Sequence, residues 1–507
     1  MSQGLFASLY EAGGPFALID ARERRDHVDG HWFGSTNIPL SVLTTRITRL
    51  IPDRDFPIHL LDWQDRASSA AVWCLEQLGY RNVTRCPTSH PGKFGDGFVK
   101  GEYVWSKAFG EVLAHECGLP EVTPADYLDS YRDARLFDVR PTAEYNAFTI
   151  PGSQSCPNSL LLANLDALRA TGEMALLHCA GRTRSIIGAC TLKAAGYDGP
   201  FAIFRGGTQA WQLDGFEREF DASTVFAAET GDAAATRAIL DQWAIPYEMV
   251  ADDRLESLVD QHRASLMFDV SDDAARGVMR RHGIIGLSGT NLIQQTDQAI
   301  ARYHVPVILF DHGSGSRAAF AAYWLRAMGF AVRVMLLDDI SALQPAKPPA
   351  ARPPATDWQT VSIDRLLAHR DNAGAIFDLR PSSAFREAHL EASSWHNISA
   401  LLSDNSPATA TPVMIIGRDP AHGGEMASLL AQHGWQIAGM FAWQVGETKG
   451  AEFPPGHLDS AIDEAELFAG RHHGNLQDSR DYLAWEEGLP DQIDSPILQQ
   501  WHRMLAG

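Results

Sequence analysis

Leu176-Leu177-His178-Cys179-Ala180-Gly181-Arg182-Thr183-Arg184-Ser185 changes character abruptly. A short apolar run ends at a cysteine, small residues and two arginines follow, and a helix-forming run leads on to Gly196. The apolar run reads as a strand buried on both faces, as in a parallel sheet covered by helices. The run from Ser185 to Ala195 reads as a helix, with Gly196 as its left-handed C-cap. Cys179 then stands at the carboxyl end of a strand and just before a helix N-terminus, where open α/β sheets carry their ligand sites. Curled loop amides, the positive helix end, Arg182 and Arg184 all favour an anion there. The setting predicts a thiol pKa lowered from about 8.5 to roughly 3.5–7.5. Ser185 is expected to cap the helix as well.

The same pattern recurs along the chain. Apolar runs end in aspartate at Asp20, Asp138, Asp269 and Asp378, spaced 118, 131 and 109 residues apart. Arginine follows two residues later at Arg22, Arg140 and Arg380, whereas the third run has Ser271. A second apolar run ends just before Asp62, Cys179, Asp311 and Gly417, which lie 42, 41, 42 and 39 residues past those aspartates. Glycine plus an aromatic then follows 17, 17, 18 and 17 residues on, at Gly79-Tyr80, Gly196-Tyr197, Gly329-Phe330 and Gly434-Trp435. Three landmarks in register four times define four tandem units, each of a size that folds as one domain.

The predicted fold is therefore α/β: four domains, each a mainly parallel sheet with helices on both faces. The expected divisions are residues 1–118, 119–225, 226–344 and 356–456, with a proline-rich linker at 345–355 and a helical tail at 457–507 that packs on the fourth unit. Residues 95–111 read as an elaboration of the first unit, without a counterpart in the others.

Composition narrows the function. The formal net charge of −21 excludes nucleic acid or an anionic membrane as the main partner. A pair of arginines can still hold a small anion in an acidic protein. No apolar run reaches the roughly 18 residues of a membrane span, and Met1 to Tyr10 does not read as a signal peptide. The six cysteines form no Cys-x-x-Cys pair, so they read as reduced thiols of a cytoplasmic protein rather than as a disulfide framework or zinc site. No cofactor or metal is expected.

Four segments resemble the rhodanese superfamily: Leu-Phe-Asp-Val-Arg at 136–140, Ile-Pro-Gly-Ser at 150–153, the loop Cys179 to Arg184, and Arg205-Gly206-Gly207-Thr208-Gln209-Ala210-Trp211. The first unit matches at Ile19-Asp20-Ala21-Arg22 and from Gly30 to Pro39, and the third and fourth match more weakly. The resemblance covers about residues 5–450. It implies sulfur transfer: Cys179 takes sulfane sulfur from a small anionic donor such as thiosulfate, holds it as a persulfide, and passes it to cyanide, a thiol or a protein thiol. It also implies substrate contacts from Ala180, Gly181, Arg182, Thr183, Arg184 and Ser185. Mercaptopyruvate is a weaker fit as donor, because that subfamily's loop resembles Cys-Gly-Ser/Thr-Gly-Val-Thr, and the extra arginine here suits a dianion.

The other three loops depart from the pattern, with Asp62, Asp311 and Gly417 where the cysteine belongs. A carboxylate does not replace a thiolate as a soft nucleophile, so these units are expected to be inactive. Two rival readings stand beside sulfur transfer. One is a cysteine phosphatase or arsenate reductase, whose loops resemble His178-Cys179 and Arg184-Ser185; but four residues separate Cys179 from Arg184, whereas phosphatases of this fold have five. The other is a regulatory scaffold without catalysis. Elsewhere, Asp138 and Arg140 read as structural, Trp211 as core near the site mouth, Cys190 as buried rather than resolving, and His472-His473 as a solvated loop.

Overall fold

The computed structural model describes all residues except 1–3, 227–230, 252–253, 272–283, 338–357, 373, 404–410, 444–453, 459–460, 494 and 507. The expected linker at 345–355 lies outside the described residues. Among those described, four sheets are wholly parallel, and a two-stranded antiparallel ribbon pairs His31–Trp32 with Phe98–Val99.

In the second sheet the order is Glu121–Val122, Phe201–Phe204, Ala175–His178, Arg135–Asp138, Gln154–Ser155. Alternation along these strands explains why they are apolar throughout. Leu136, Leu176, Ala202 and Phe204 pack with Trp211 and Tyr127 on one face. Phe137, Leu177 and Ile203 join the other core with Ile186, Ile187 and Cys190 of the helix Thr183–Ala194. Both faces are covered, as parallel strands require. Leu177 pairs with Phe137 and His178 with Asp138, so Cys179 emerges just past the carboxyl edge. The helix begins two residues earlier than the sequence suggested. Ser185 is consequently inside its first turn, where its hydroxyl donates to the Arg182 carbonyl at 2.7 Å instead of capping the end.

The third sheet runs Tyr247–Val250, Val332–Leu337, Val307–His312, Leu266–Asp269, Ile285–Gly286, and the fourth runs Ser394–Trp395, Ile376–Asp378, Val413–Gly417, Ile437–Ala442. In the first, Ala17–Asp20 lies between Thr36–Asn37 and Ile58–Asp62, with Val83–Pro87 outermost. The Asp-x-Arg landmark has one geometry in three sheets: Arg22, Arg140 and Arg380 each clamp the aspartate two residues before with Nε and Nη2. The clamp then reaches a carbonyl eight residues on, at Gly30, Phe148 or Ala388. In the third sheet the Ser271 hydroxyl serves Asp269 instead.

One expectation is corrected. The tail does not pack mainly on the fourth unit. Trp501 is fully buried against Phe33, Trp105 and Phe109 of the first unit and donates to the Met328 carbonyl of the third at 3.3 Å. Trp485 donates to the Lys100 carbonyl at 2.9 Å, and Ser479 donates to Gln209 of the second unit at 2.7 Å. Contacts with the fourth unit come from Asp463 and Glu464, on Ser382 and Arg386. The physical reason is the helix Val104–Cys117, which grows from the presumed elaboration at 95–111. It offers Trp105 and Phe109 as a surface between the first three units, and the tail aromatics cover it. No described helix is long and apolar enough to cross a membrane.

Candidate active site

Cys179 is 1% exposed and lies at the floor of a cavity of about 320 Å³. Its walls come from four directions: Lys107 of the first unit, the Cys179–Arg184 loop, Gln294 and Phe320 of the third unit, and Arg471, Tyr482 and Glu486 of the tail.

The sulfur meets the first turn of the helix Thr183–Ala194. Its thiol donates to the Ser185 hydroxyl at 3.8 Å, and the Ser185 N–H favours its charge. The loop is pinned from below, because the Cys179 carbonyl accepts from the Thr208 N–H at 3.0 Å and the Ala180 carbonyl from the Gln209 N–H at 3.1 Å. The Arg205-to-Trp211 segment therefore holds the loop from behind. Trp211 is core, away from the cavity mouth, with its indole donating to the Glu217 carbonyl at 2.7 Å.

The two arginines part company. Arg184 donates to Glu144 at 2.7 Å and Gln294 at 3.0 Å, and its charge favours the thiolate. Arg182 turns to Glu111 at 2.9 Å and Glu487 at 3.1 Å. Thr183 donates to Glu486 at 2.6 Å, and Gly181 lies so close to the tail that a Cβ there would meet Glu486 Oε2 at 2.6 Å and the Tyr482 ring at 2.8 Å. Glycine is what allows this approach. Ala180 and Gly181 both line the cavity.

The expected low thiol pKa is corrected. Burial pushes the Cys179 thiol above its ordinary value, and the Glu486 carboxylate adds to this; Arg184 and Ser185 pull the other way without prevailing. Nothing local in the sequence marks Glu486, which stands 307 residues from Cys179; carboxylate and thiol meet only through the tail.

The remaining residues fall into place. His178 is fully buried on the Leu176 face, its Nε2 2.8 Å from the Ser153 hydroxyl. Asp138 and Arg140 form a fully buried pair at 2.6 Å. Cys156 is buried, with its thiol pushed up to about 12 by that burial. Cys190 is 3% exposed. His472, expected in a solvated loop, instead lines the cavity at 2.7 Å from Glu466, while His473 is exposed. Among the described residues no cluster of ligating side chains could hold a metal.

The degenerate loops have a different interior. Asp311 spends its carboxylate on the N–H groups of His312 at 2.9 Å and Ala318 at 3.1 Å. Asp62 accepts from the Gln64 N–H at 2.9 Å and pairs with Arg85 at 2.8 Å. At Gly417 a Cβ would stand 2.4 Å from the Gly423 backbone.

Residues 123–214 match the family model described as the rhodanese-like domain. Among solved structures, thiosulfate sulfurtransferase from Pseudomonas aeruginosa superposes with a TM-score of 0.80 at 24% identity, covering 97% of each chain. That likeness establishes the fold over nearly the full length. Two shorter matches have TM-scores too low to add to it. One is a rhodanese-related protein from Thermoplasma volcanium (23% identity, 20% of this chain, 97% of that one, TM-score 0.18). The other is a protein of unknown function, possible tyrosine phosphatase, from Rhodopseudomonas palustris (26% identity, 21% and 91%, TM-score 0.20). No curated protein matches.

Proposed function

We propose that this chain, whose residues 123–214 match a rhodanese-like domain, is a sulfurtransferase acting through a persulfide on Cys179. The observation that carries the reading is the union of one buried thiol, the Ser185 N–H and Arg184 at the floor of one cavity. Cys179 reacts as the thiolate, its proton released to solvent. The thiolate attacks the outer sulfur of thiosulfate, the S–S bond of the donor breaks, and its electron pair leaves on sulfite. Cyanide or a thiol then attacks the outer sulfur of the persulfide and returns the thiolate.

Ala180, Gly181, Thr183 and Ser185 shape the floor, and Arg184 supplies the charge. Arg182 serves the loop's posture through Glu111 and Glu487. The first, third and fourth units are non-catalytic in this reading. Asp62 and Asp311 take up amide groups of their own loops, and Gly417 has no room for a side chain. Free thiols at all six cysteines accord with a reducing compartment, and we propose the cytoplasm.

The test is thiocyanate formation from thiosulfate and cyanide by the wild-type chain and by Cys179→Ser. Wild-type turnover with none in the variant supports the proposal. Equal turnover removes Cys179 from it. An absence of turnover combined with hydrolysis of a phosphate or reduction of arsenate would favour the phosphatase-like reading.

A further inference from the structure

Every guanidinium on the cavity wall has an acidic partner. Arg140 holds Asp138, Arg182 holds Glu111, Arg184 holds Glu144, and Arg471 holds Glu466. Lys107 differs. It is 8% exposed and lines the same cavity, yet among the described residues no carboxylate lies within ion-pairing distance of its ammonium, and its Nζ donates no hydrogen bond. Three aromatic faces surround it instead, with ring centres at 4.3 Å for Trp485, 4.8 Å for Tyr482 and 5.9 Å for Tyr103.

A buried ammonium without a contact ion pair is costly, and cation–π contacts return only about 0.5–2 kcal/mol each. The cost is visible in the group itself. Burial lowers the Lys107 pKa to about 8, with Arg471 and Arg184 pushing further down and Glu486 and Glu102 holding it up. An anion entering the cavity would give this cation the direct contact that Glu486 and Glu102, acting only from beyond ion-pairing distance, do not.

We propose that Lys107 is the oxyanion subsite of the sulfur donor: the ammonium, contributed by a non-catalytic unit, binds the oxygen-bearing end of an anionic thiosulfonate-type donor while Cys179 attacks its sulfane sulfur. The inference rests on the sulfurtransferase reading and adds a specificity-determining residue to it. In the thiosulfate step, the bond from sulfane sulfur to sulfonyl sulfur breaks, and the electron pair departs on sulfite beside Lys107. The site is then composite. Residues 119–225 carry the nucleophile, while the first unit and the tail carry the anion subsite and its aromatic cage.

The experiment compares full-length wild type, Lys107→Met and Lys107→Arg on two donors, thiosulfate and an uncharged organic trisulfide. A hydrogen bond to a charged group contributes about 1.5–3 kcal/mol, so kcat/KM for thiosulfate relative to the trisulfide should fall by about 10- to 100-fold in Lys107→Met. The loss should appear mainly in KM and be largely restored in Lys107→Arg. Wild-type kcat/KM for thiosulfate should also decline above pH about 8, as the free ammonium loses its proton, and this limb should vanish in Lys107→Met. An unchanged donor ratio with the alkaline limb intact would overturn the proposal while leaving sulfur transfer standing. Failure of wild type to transfer sulfur from either donor would overturn the sulfurtransferase reading itself, and this subsite with it. Binding of sulfite to Cys179→Ser, with and without Lys107→Met, tests the anion contact apart from turnover; equal affinity in the two would also overturn it.

Discussion

The Thr183 hydroxyl donates to Glu486 Oε1 at 2.6 Å, joining the first turn after Cys179 to a helix 303 residues further along the chain. Glu486 is 1% exposed, and its second oxygen has no hydrogen-bond partner among the described residues. The tail is therefore part of the electrostatics of the site. Its carboxylate opposes ionisation of Cys179. Glu486→Gln removes that charge and keeps an acceptor for Thr183. It should lower the Cys179 pKa and speed alkylation of that thiol at fixed neutral pH by up to about tenfold, one pKa unit being ~1.4 kcal/mol. The pH dependence of iodoacetamide labelling at Cys179, followed by peptide mass, checks this.

Arg182 and Arg184 differ by two positions and should differ in what they lose. Arg184 is the guanidinium that stabilises the thiolate, and Arg184→Ala should cut kcat/KM for thiosulfate by about 10- to 100-fold, the value of a charge-assisted contact. Arg182 is 10% exposed and its partner Glu111 8%. Arg182→Ala strands that carboxylate and should cost up to about 3–5 kcal/mol of stability, with a smaller effect on turnover of the protein that remains folded. Denaturant melts and steady-state kinetics on both variants separate the two roles.

Restoring a cysteine to a degenerate loop should not restore activity. Gly417→Cys meets the Gly423 backbone at 2.4 Å and should destabilise the fourth unit without yielding a second persulfide site. Asp62→Ala and Asp311→Ala, by contrast, should leave thiocyanate formation close to wild type. Turnover assays on the three variants, with peptide mapping of any added sulfur, check both statements.

Trp501 is fully buried among Phe33, Trp105 and Phe109 of the first unit and donates to the Met328 carbonyl of the third, so the tail bridges the two. Trp501→Ala should destabilise by about 3–5 kcal/mol, as large-to-small changes of aromatic core residues do. Thermal or denaturant unfolding measures it.

The four parallel sheets were legible because each strand is short, apolar and closed by a fixed landmark. Asp20, Asp138 and Asp378 with their arginines mark one strand edge, and Cys179 with its aligned counterparts marks another. These are local patterns, and local sequence carries them. The cavity walls were not legible. Lys107, Tyr482 and Glu486 come together through tertiary packing of a helix that reads as an elaboration of the first unit and a tail that reads as packing on the fourth. Their polar character along the sequence gives no period that distinguishes a cavity wall from solvent. The raised thiol pKa was missed for the same reason. Loop amides, helix end and arginines were visible, while the burial and the distant carboxylate that outweigh them were not.

Cys179 is proposed to carry sulfur. Intact mass of the reduced full-length chain after incubation with thiosulfate, with peptide mapping, tests it most directly. A gain of one sulfur atom, located on Cys179 and removed by cyanide, is expected. A chain that is folded and has a reactive Cys179, yet gains no sulfur from thiosulfate or any other sulfane donor, would contradict it.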